Sequence, residues 1–143
     1  HSFPTRRSSD LPTVLPLPEH PLRRILNNLL DNAVRYSPHK GTVTLDAAIR
    51  DYGNAPEKES TLFLTVSDEG PGFCEDALLY GTEAFYRESA DRNDKSHFGL
   101  GLSIADQLAR GLGGSIALCN APAGGAVVIV KLPLTGQLQR DTE

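Results

Sequence analysis

NNLLDNAVRY, running from Asn27 to Tyr36, is the stretch on which the fold of this chain turns. It is the second half of a helical pattern that begins at His20. Leu22, Ile25, Leu26, Leu29, Leu30 and Ala33 follow the i, i+3, i+4 rule of a buried helix face, and Pro38 ends the run. Beside that face Asn28, Asn32, Arg35 and Tyr36 stand at i, i+4, i+7 and i+8 and form a second stripe. Helix interiors disfavour asparagine, so repeating it at the edge of a core is costly unless it serves a purpose. A carboxamide oxygen is a hard, neutral ligand suited to Mg²⁺, an ion that keeps waters and shares its shell with substrate phosphates. Arg35 and Tyr36 are then placed to contact phosphate or to close over a ring. A solvated helix flank uses the same residue types, and the stripe alone does not separate the two readings.

Outward from this helix the hydrophobic period changes. Gly41 opens a strand over Thr42–Ile49 in which Val43, Leu45 and Ala47 alternate, and a second strand covers Thr61–Ser67. The polar stretch YGNAPEKES, Tyr52 to Ser60, joins the two as a turn. A glycine–proline bend over Gly70–Glu75 leads into a short helix, Glu75–Tyr80. Gly81–Phe98 contains RESADRNDKSH, dense in charge and nearly free of aliphatic residues, which predicts a mobile lid. Gly99 begins a helix that carries Leu102, Ile104, Ala105, Leu108 and Ala109 and closes at Gly111 and Gly113. Two last strands, Ser115–Cys119 and Ala126–Leu132, are joined by Asn120-Ala-Pro-Ala-Gly-Gly as a hairpin. Pro12–Glu19 is proline-rich and extended, the remains of an edge strand. This order predicts an α/β (α+β) two-layer sandwich with helices on one face of a mixed, mostly antiparallel sheet.

Two further segments carry chemistry. Along the second strand Leu62, Leu64, Val66 and Asp68 point the same way, so Asp68 ends a buried row aimed into the interior. A carboxylate there needs a donor. The exocyclic amine of adenine supplies one, whereas guanine presents an acceptor at that place and is rejected. Gly70 and Gly72 allow a sharp turn and close approach to a flat base, although a D-x-G turn without a ligand uses the same letters. Gly99-Leu100-Gly101-Leu102 leads into a helix, so free amides and the positive helix end form a cradle for phosphate. Arg87, Arg92 or Lys95 of the lid would complete it. His20, His39 and His97 show neither metal spacing nor a paired acid and read as surface or cap residues, and no Ser/His/Asp or Cys/His nucleophile set stands out.

Bulk properties narrow the class. The 143 residues suit one domain, and 39% hydrophobic with 22% charged residues is ordinary for a globular chain. The longest apolar run, Ala126–Val130, is too short to cross a bilayer. A net charge of −4 gives no electrostatic footprint for nucleic acid. Cys74 and Cys119 lie far apart without CxxC spacing and read as reduced core thiols. The chain has no methionine, as expected of a piece of a longer protein, and His1–Leu11 (HSFPTRRSSDL) resembles a frame translation of a sequencing adapter. The expected layout is a non-native scar over residues 1–11, one domain over residues 12–134 and a polar tail over residues 135–143.

Taken together and in this order, NNLLDNAVRY, DEGPG and HFGLGLSIA resemble the N, G1 and G2 boxes of the Bergerat-type ATP-binding domain of gyrase, heat-shock chaperone, mismatch-repair and histidine-kinase ATPases. FYR, Phe85 to Arg87, resembles the F box of sensor histidine kinases, and GGSIALCNAPAGGAVVIVKLPL is similar to the last strands of that domain. The likeness covers His20 to Leu134 and implies the Bergerat fold with a mobile lid. Residue by residue it implies a nucleotide site. Asn32 would bind Mg²⁺, Asn28 would support the phosphates, and Arg35 and Tyr36 would line the nucleotide. Asp68 would read adenine, Gly70 and Gly72 would shape the base pocket, and Arg87, Gly99, Leu100, Gly101 and Leu102 would lie at the phosphates. Thr82 stands where the F box has its first phenylalanine, and His97 where the G2 box has its first glycine.

Hydrolysing members of that superfamily place a glutamate one helical turn before the metal asparagine. Asn28 holds that position here and cannot take a proton, which implies transfer to a positioned nucleophile rather than hydrolysis. In the histidine kinases the nucleophile is a histidine on a separate dimerising hairpin. No HE-x-x-x-P-L segment occurs in this chain, and His20-Pro21-Leu22 lacks the acid. The resemblance therefore implies the ATP-binding catalytic domain of a two-component sensor histidine kinase, with ATP and Mg²⁺ as cofactors. Its partners would be a phosphoacceptor histidine domain and a response-regulator receiver domain. The parent would be a membrane-anchored homodimer whose catalytic part is cytoplasmic. A free-standing anti-sigma-type serine kinase of the same fold is the alternative, against which FYR and the missing glutamate count. A degenerate scaffold without nucleotide finds little room beside intact Asn32, Asp68 and both glycine pairs.

Overall fold

A computed structural model of the chain describes residues 5–7, 15–53, 59–83 and 98–134. Its elements are β1 (Thr5–Arg7), α1 (Glu19–Tyr36), β2 (Thr44–Tyr52), β3 (Glu59–Ser67), α2 (Glu75–Tyr80), α3 (Phe98–Gly111), β4 (Ser115–Asn120) and β5 (Ala126–Pro133). Among the described residues one sheet forms in the order β1-β2-β3-β5-β4, and α1 and α3 pack on each other over one of its faces. Every pairing is antiparallel, which sharpens the expectation of a mixed, mostly antiparallel sheet.

The core follows from two periodicities that meet. On α1 the residues Ile25, Leu29 and Ala33 are buried and Leu22, Leu26 and Leu30 half-buried, as the helical stripe requires. On β3 the alternate residues Leu62, Leu64 and Val66 are buried, and their partners on β5, Leu132, Val130 and Val128, are buried too. Ile116 and Leu118 extend the same face onto β4, and Leu102, Ala105 and Ala109 of α3 close it together with Leu112 just beyond the helix. Fully burying a leucine-sized side chain contributes roughly 1.5–3 kcal/mol, so this double layer outweighs any single polar contact described below. α1 stops at Tyr36 because Ser37 precedes proline and takes an extended backbone, with ψ 144°. α3 ends in a Schellman turn, in which Gly114 N–H donates to the Ala109 carbonyl and Gly113 N–H to that of Arg110.

The opposite face of the sheet carries no helix among the described residues. There Phe63 lies opposite Ala48 on one side and Lys131 on the other. Its ring holds the Arg50 guanidinium at 5.5 Å and the Lys131 ammonium at 5.9 Å from the centroid.

Several expectations need correcting. β2 starts at Thr44 rather than Thr42 and runs to Tyr52. Its buried residues are Ala48, Ile49 and Asp51, while Leu45 is 46% exposed although it lies opposite core Val66. The two cysteines are exposed rather than core thiols, because Cys74 caps α2 at the surface and Cys119 sits on edge strand β4 with its side chain off the core register. Residues 15–18 form no strand, and residues 12–14 lie outside the described ones. The edge strand is instead β1, within the segment read as a scar, whose Arg7, Arg6 and Thr5 face Ala48, Ile49 and Arg50. The open edge of β2 offers main-chain groups that pair with an extended segment whatever its side chains. Of the expected lid, Gly81–Phe98, residues 84–97 lie outside the described residues, as do most of the turn before Ser60 and the tail from Thr135; residues 81–83 continue from α2 as a turn, and Phe98 opens α3. Among the described residues no helix is long and apolar enough to cross a membrane.

Candidate functional site

β3 delivers Asp68 to the rim of the core one residue after its last regular pair. Asp68 is 8% exposed and continues the row of Leu62, Leu64 and Val66, as the period of two demands. Its main-chain N–H donates to the Ala126 carbonyl at 3.0 Å, which prolongs the β3–β5 ladder. The return bond is made by the side chain: Ala126 N–H donates to Asp68 Oδ1 at 3.2 Å, and Gly70 N–H donates to the same oxygen at 2.8 Å. Two amides thus fix the carboxylate rotamer through Oδ1. Oδ2 has no hydrogen-bond partner among the described residues. An ionised carboxylate accepts at both oxygens, so this one presents an acceptor suited to an amine donor.

The loop that follows is held by neighbours on three sides. A Cβ at Gly70 would come within 2.2 Å of the Tyr36 carbonyl oxygen, so the loop crosses the last turn of α1 where only glycine fits. Thr42 N–H donates to Glu69 Oε1 at 2.9 Å, tying the loop to the segment before β2. From the third side comes the β4–β5 hairpin. Asn120 Oδ1 accepts the Phe73 N–H at 2.7 Å, and Asn120 Nδ2 donates to the Phe73 carbonyl at 2.9 Å. Gly125, with φ +98°, lies so close that a Cβ there would meet the Asp68 carbonyl oxygen at 2.1 Å.

α1 contributes the other stripe in graded exposure. Asn32 is 8% exposed, Asn28 and Tyr36 are half-buried, and Arg35 is exposed. The Asn32 carboxamide makes no hydrogen bond among the described residues, which for a nearly buried amide leaves donor and acceptor open to a ligand. Asn32 lies one helical turn, about 6 Å along the axis, before Tyr36, the residue whose carbonyl touches Gly70. Gly99, Leu100 and Gly101 fall in the first turn of α3, where main-chain N–H groups lack helical partners. Leu102 is fully buried, so its side chain packs the core instead of facing a ligand. Arg87, Arg92, Lys95 and His97 lie outside the described residues; His20 and His39 are exposed, as expected of surface residues.

The structure therefore brings the loop that carries Asp68 and Gly72 against the end of α1 at Gly70, and it adds Asn120, Gly125 and Ala126, which the sequence pattern assigns only to a strand and a turn. Among the described residues no group of three or more His, Cys, Asp or Glu is placed to hold a metal ion. Mg²⁺ keeps several waters and shares its shell with substrate phosphates, so one carboxamide ligand at Asn32 is compatible with such an ion.

Comparison with known proteins identifies the family. Residues 18–136 match the sequence profile described as histidine kinase-, DNA gyrase B- and HSP90-like ATPase. The sensor histidine kinase SpaK of Bacillus subtilis is 40% identical over 117 residues, covering 81% of this chain and 24% of SpaK. The signal transduction histidine-protein kinase BaeS of Escherichia coli is 36% identical over 121 residues, covering 84% of this chain and 24% of BaeS. The chain thus spans about a quarter of the length of these curated relatives. Among solved structures, a mycobacterial sensor histidine kinase, MprB, aligns with a TM-score of 0.65 at 28% identity over 83% of this chain and 76% of that one. Full-length ShkA, solved in complex with AMPPNP, aligns with a TM-score of 0.58 at 29% identity over 82% of this chain and 23% of that one.

Proposed function

The chain belongs to the histidine kinase-, DNA gyrase B- and HSP90-like ATPase family and is an ATP-binding domain of the sensor-histidine-kinase type, and from that premise we propose how it works and with what. It binds ATP with Mg²⁺ and presents the γ-phosphoryl group to a histidine on a separate phosphoacceptor domain, from which the group passes to an aspartate of a response regulator. The parent is a membrane-anchored homodimeric sensor that holds this part in the cytoplasm. The observation that carries the reading is Asp68: an acceptor with one oxygen pinned by the Gly70 and Ala126 amides and the other without a partner among the described residues. The AMPPNP complex of ShkA supports an adenine nucleotide as the ligand that meets it.

Each residue then has a task of its own. Asp68 accepts the exocyclic amine of adenine, and the crossing at Gly70 keeps that loop against α1. Asn32 fits a magnesium ion, because its carboxamide is nearly buried yet unbonded among the described residues and is a hard oxygen donor. When bound with the nucleotide, the ion neutralises charge on the phosphates and on the transferring group. Gly99, Leu100 and Gly101 offer the amides of the first turn of α3 to phosphate oxygens. Asn28 supports the phosphates and, lacking a carboxylate, leaves water without a base, so transfer outruns hydrolysis. Arg35 and Tyr36 line the nucleotide, and Arg87 reaches the phosphates. The relatives named above are sensor kinases, which favours this reading over the free-standing serine kinase.

Titration of the full chain with ATP, with and without MgCl₂, tests the reading. Magnesium-dependent binding is the expected result, and incubation with γ-labelled ATP should leave the chain itself unlabelled. Absence of ATP binding, or stable labelling of the chain alone, would overturn it.

A further inference from the structure

We infer that Asn120, in the β4–β5 hairpin, is a positioning residue for base recognition, acting on the loop that carries Asp68, Gly70 and Gly72. The inference rests on the adenine site proposed above and goes beyond it to a residue outside all three sequence boxes.

The loop from Asp68 to Phe73 is tied down at both ends. At its start, Asp68 exchanges two bonds with Ala126, N–H to the Ala126 carbonyl at 3.0 Å and Oδ1 from the Ala126 N–H at 3.2 Å. At its end, Phe73 exchanges two bonds with Asn120, at 2.7 and 2.9 Å. Asn120 and Ala126 are direct cross-strand partners in the hairpin. One pair of facing residues therefore anchors both ends of the loop, and the base-shaping glycines lie in the span between. Two bonds from one carboxamide to the N–H and C=O of a single residue fix its main chain in rotation as well as position. Phe73 itself is 6% exposed and belongs to the core cluster, which holds the same point by packing.

The span also passes directly beneath the clamp. Gly72 has φ +85°, and a Cβ there would come within 2.9 Å of Asn120 Oδ1. Asn120 thus sets how deeply the glycine bend sits, and through it where the unbonded Oδ2 of Asp68 stands relative to a base. A side chain that only stabilised the fold would affect all nucleotides alike. One that positions the reader of the exocyclic amine affects adenine selectively, because discrimination lies in whether that hydrogen bond is made.

The test is titration of the full chain, followed by two-dimensional NMR, with MgATP and with MgITP, whose base presents an oxygen where adenine has its amine. NMR reads millimolar and micromolar dissociation constants alike and shows whether each variant is folded. Asn120→Ala is expected to weaken ATP about tenfold and ITP by less than about twofold, the loss of one well-placed hydrogen bond. Asn120→Asp keeps the acceptor for the Phe73 N–H and loses the donor to its carbonyl, so it should fall in between. Should the alanine variant not fold, Asn120→Asp and Asn120→Ser carry the same comparison. Equal weakening of ATP and ITP, or no weakening of either, overturns the positioning role while leaving the ATP site in place. Failure of the unsubstituted chain to bind ATP overturns the site itself, and the inference with it.

Discussion

Asp68 separates the two jobs of a binding loop, because one carboxylate oxygen serves the fold and the other is open to a ligand. Asp68→Asn keeps an oxygen facing the Gly70 and Ala126 amides, at 2.8 and 3.2 Å in the unsubstituted chain, and replaces Oδ2 by an NH₂ donor. Charge-assisted hydrogen bonds are roughly twice as strong as neutral ones, so the fold should lose only about 1 kcal/mol. Asp68→Ala strands both amides, at about 1–3 kcal/mol for each unsatisfied group, a total of about 2–6 kcal/mol. Binding should rank the other way. With asparagine a donor faces the adenine amine, and ATP affinity should fall about 100-fold, near the upper end for one hydrogen bond to a charged group plus an opposed dipole. ITP, which presents an acceptor at that place, should lose far less or gain. Urea unfolding of the three proteins gives the first quantity, and NMR titration with MgATP and MgITP gives the second. Asparagine and alanine variants of equal stability, or an asparagine variant that binds ATP like the unsubstituted chain, would refute the division of labour between the two oxygens.

Other substitutions probe the supports. Gly125→Ala meets the Asp68 carbonyl oxygen at 2.1 Å, whereas a Cβ at Gly124 meets nothing within 4 Å, although both have positive φ. In thermal unfolding the first should cost about 1–3 kcal/mol more than the second, and equal losses would show that the contact carries no weight. Asn32→Ala should abolish the magnesium dependence of ATP binding while moving unfolding free energy by less than about 1 kcal/mol, since no internal hydrogen bond among the described residues is lost. Persistence of that dependence would remove Asn32 from the metal. Asn28→Glu supplies the missing base, and phosphate release from ATP should rise at least about tenfold; an unchanged rate would leave Asn28 without the assigned role. Asp106 is 7% exposed, its Oδ1 has no hydrogen-bond partner among the described residues, and its Oδ2 accepts from the Nε of Arg110, whose guanidinium pKa is raised by that bond and charge. Asp106→Ala should therefore leave chemical stability unchanged or raise it slightly, because a buried unpaired oxygen is removed; a clear loss in urea unfolding would contradict this.

The fold was legible where one face of an element is buried and the other is not. The stripe from Leu22 to Ala33 and the row from Leu62 to Val66 each have a single burial phase, so periodicity names both element and face. β2 was harder for the same reason reversed. Buried residues occur on both its faces, Ala48 beside Phe63 and Ile49 beside Leu62, so the alternation of Val43, Leu45 and Ala47 gives no unique phase, and Leu45 is 46% exposed. Cysteine composition misled because exposure at Cys74 and Cys119 is decided by a helix cap and an edge strand, neither of which shows in residue type. β1 pairs through its main chain, and no reading of side chains finds a strand held in that way.

The candidate site was legible only where a side chain's own chemistry is costly in its place: a carboxylate ending an apolar row, an amide in mid-helix, glycines where a helix begins. Its supports work on main-chain atoms, and that task leaves no such mark. Turn propensity accounts for an asparagine here, so Asn120 reads as the first residue of the turn to Gly125, whereas in the structure it closes β4. If hairpin and carboxylate form one device, the effects of Asp68→Asn and Asn120→Ala on ATP affinity cannot add, because each removes the same hydrogen bond to the base. In a double-mutant cycle Asn120→Ala should cost about tenfold alone and less than about twofold when Asp68 is already asparagine. A full tenfold loss in both backgrounds would mean that the hairpin supports binding by some route other than the carboxylate, and the loop would then owe its selectivity to Asp68 alone.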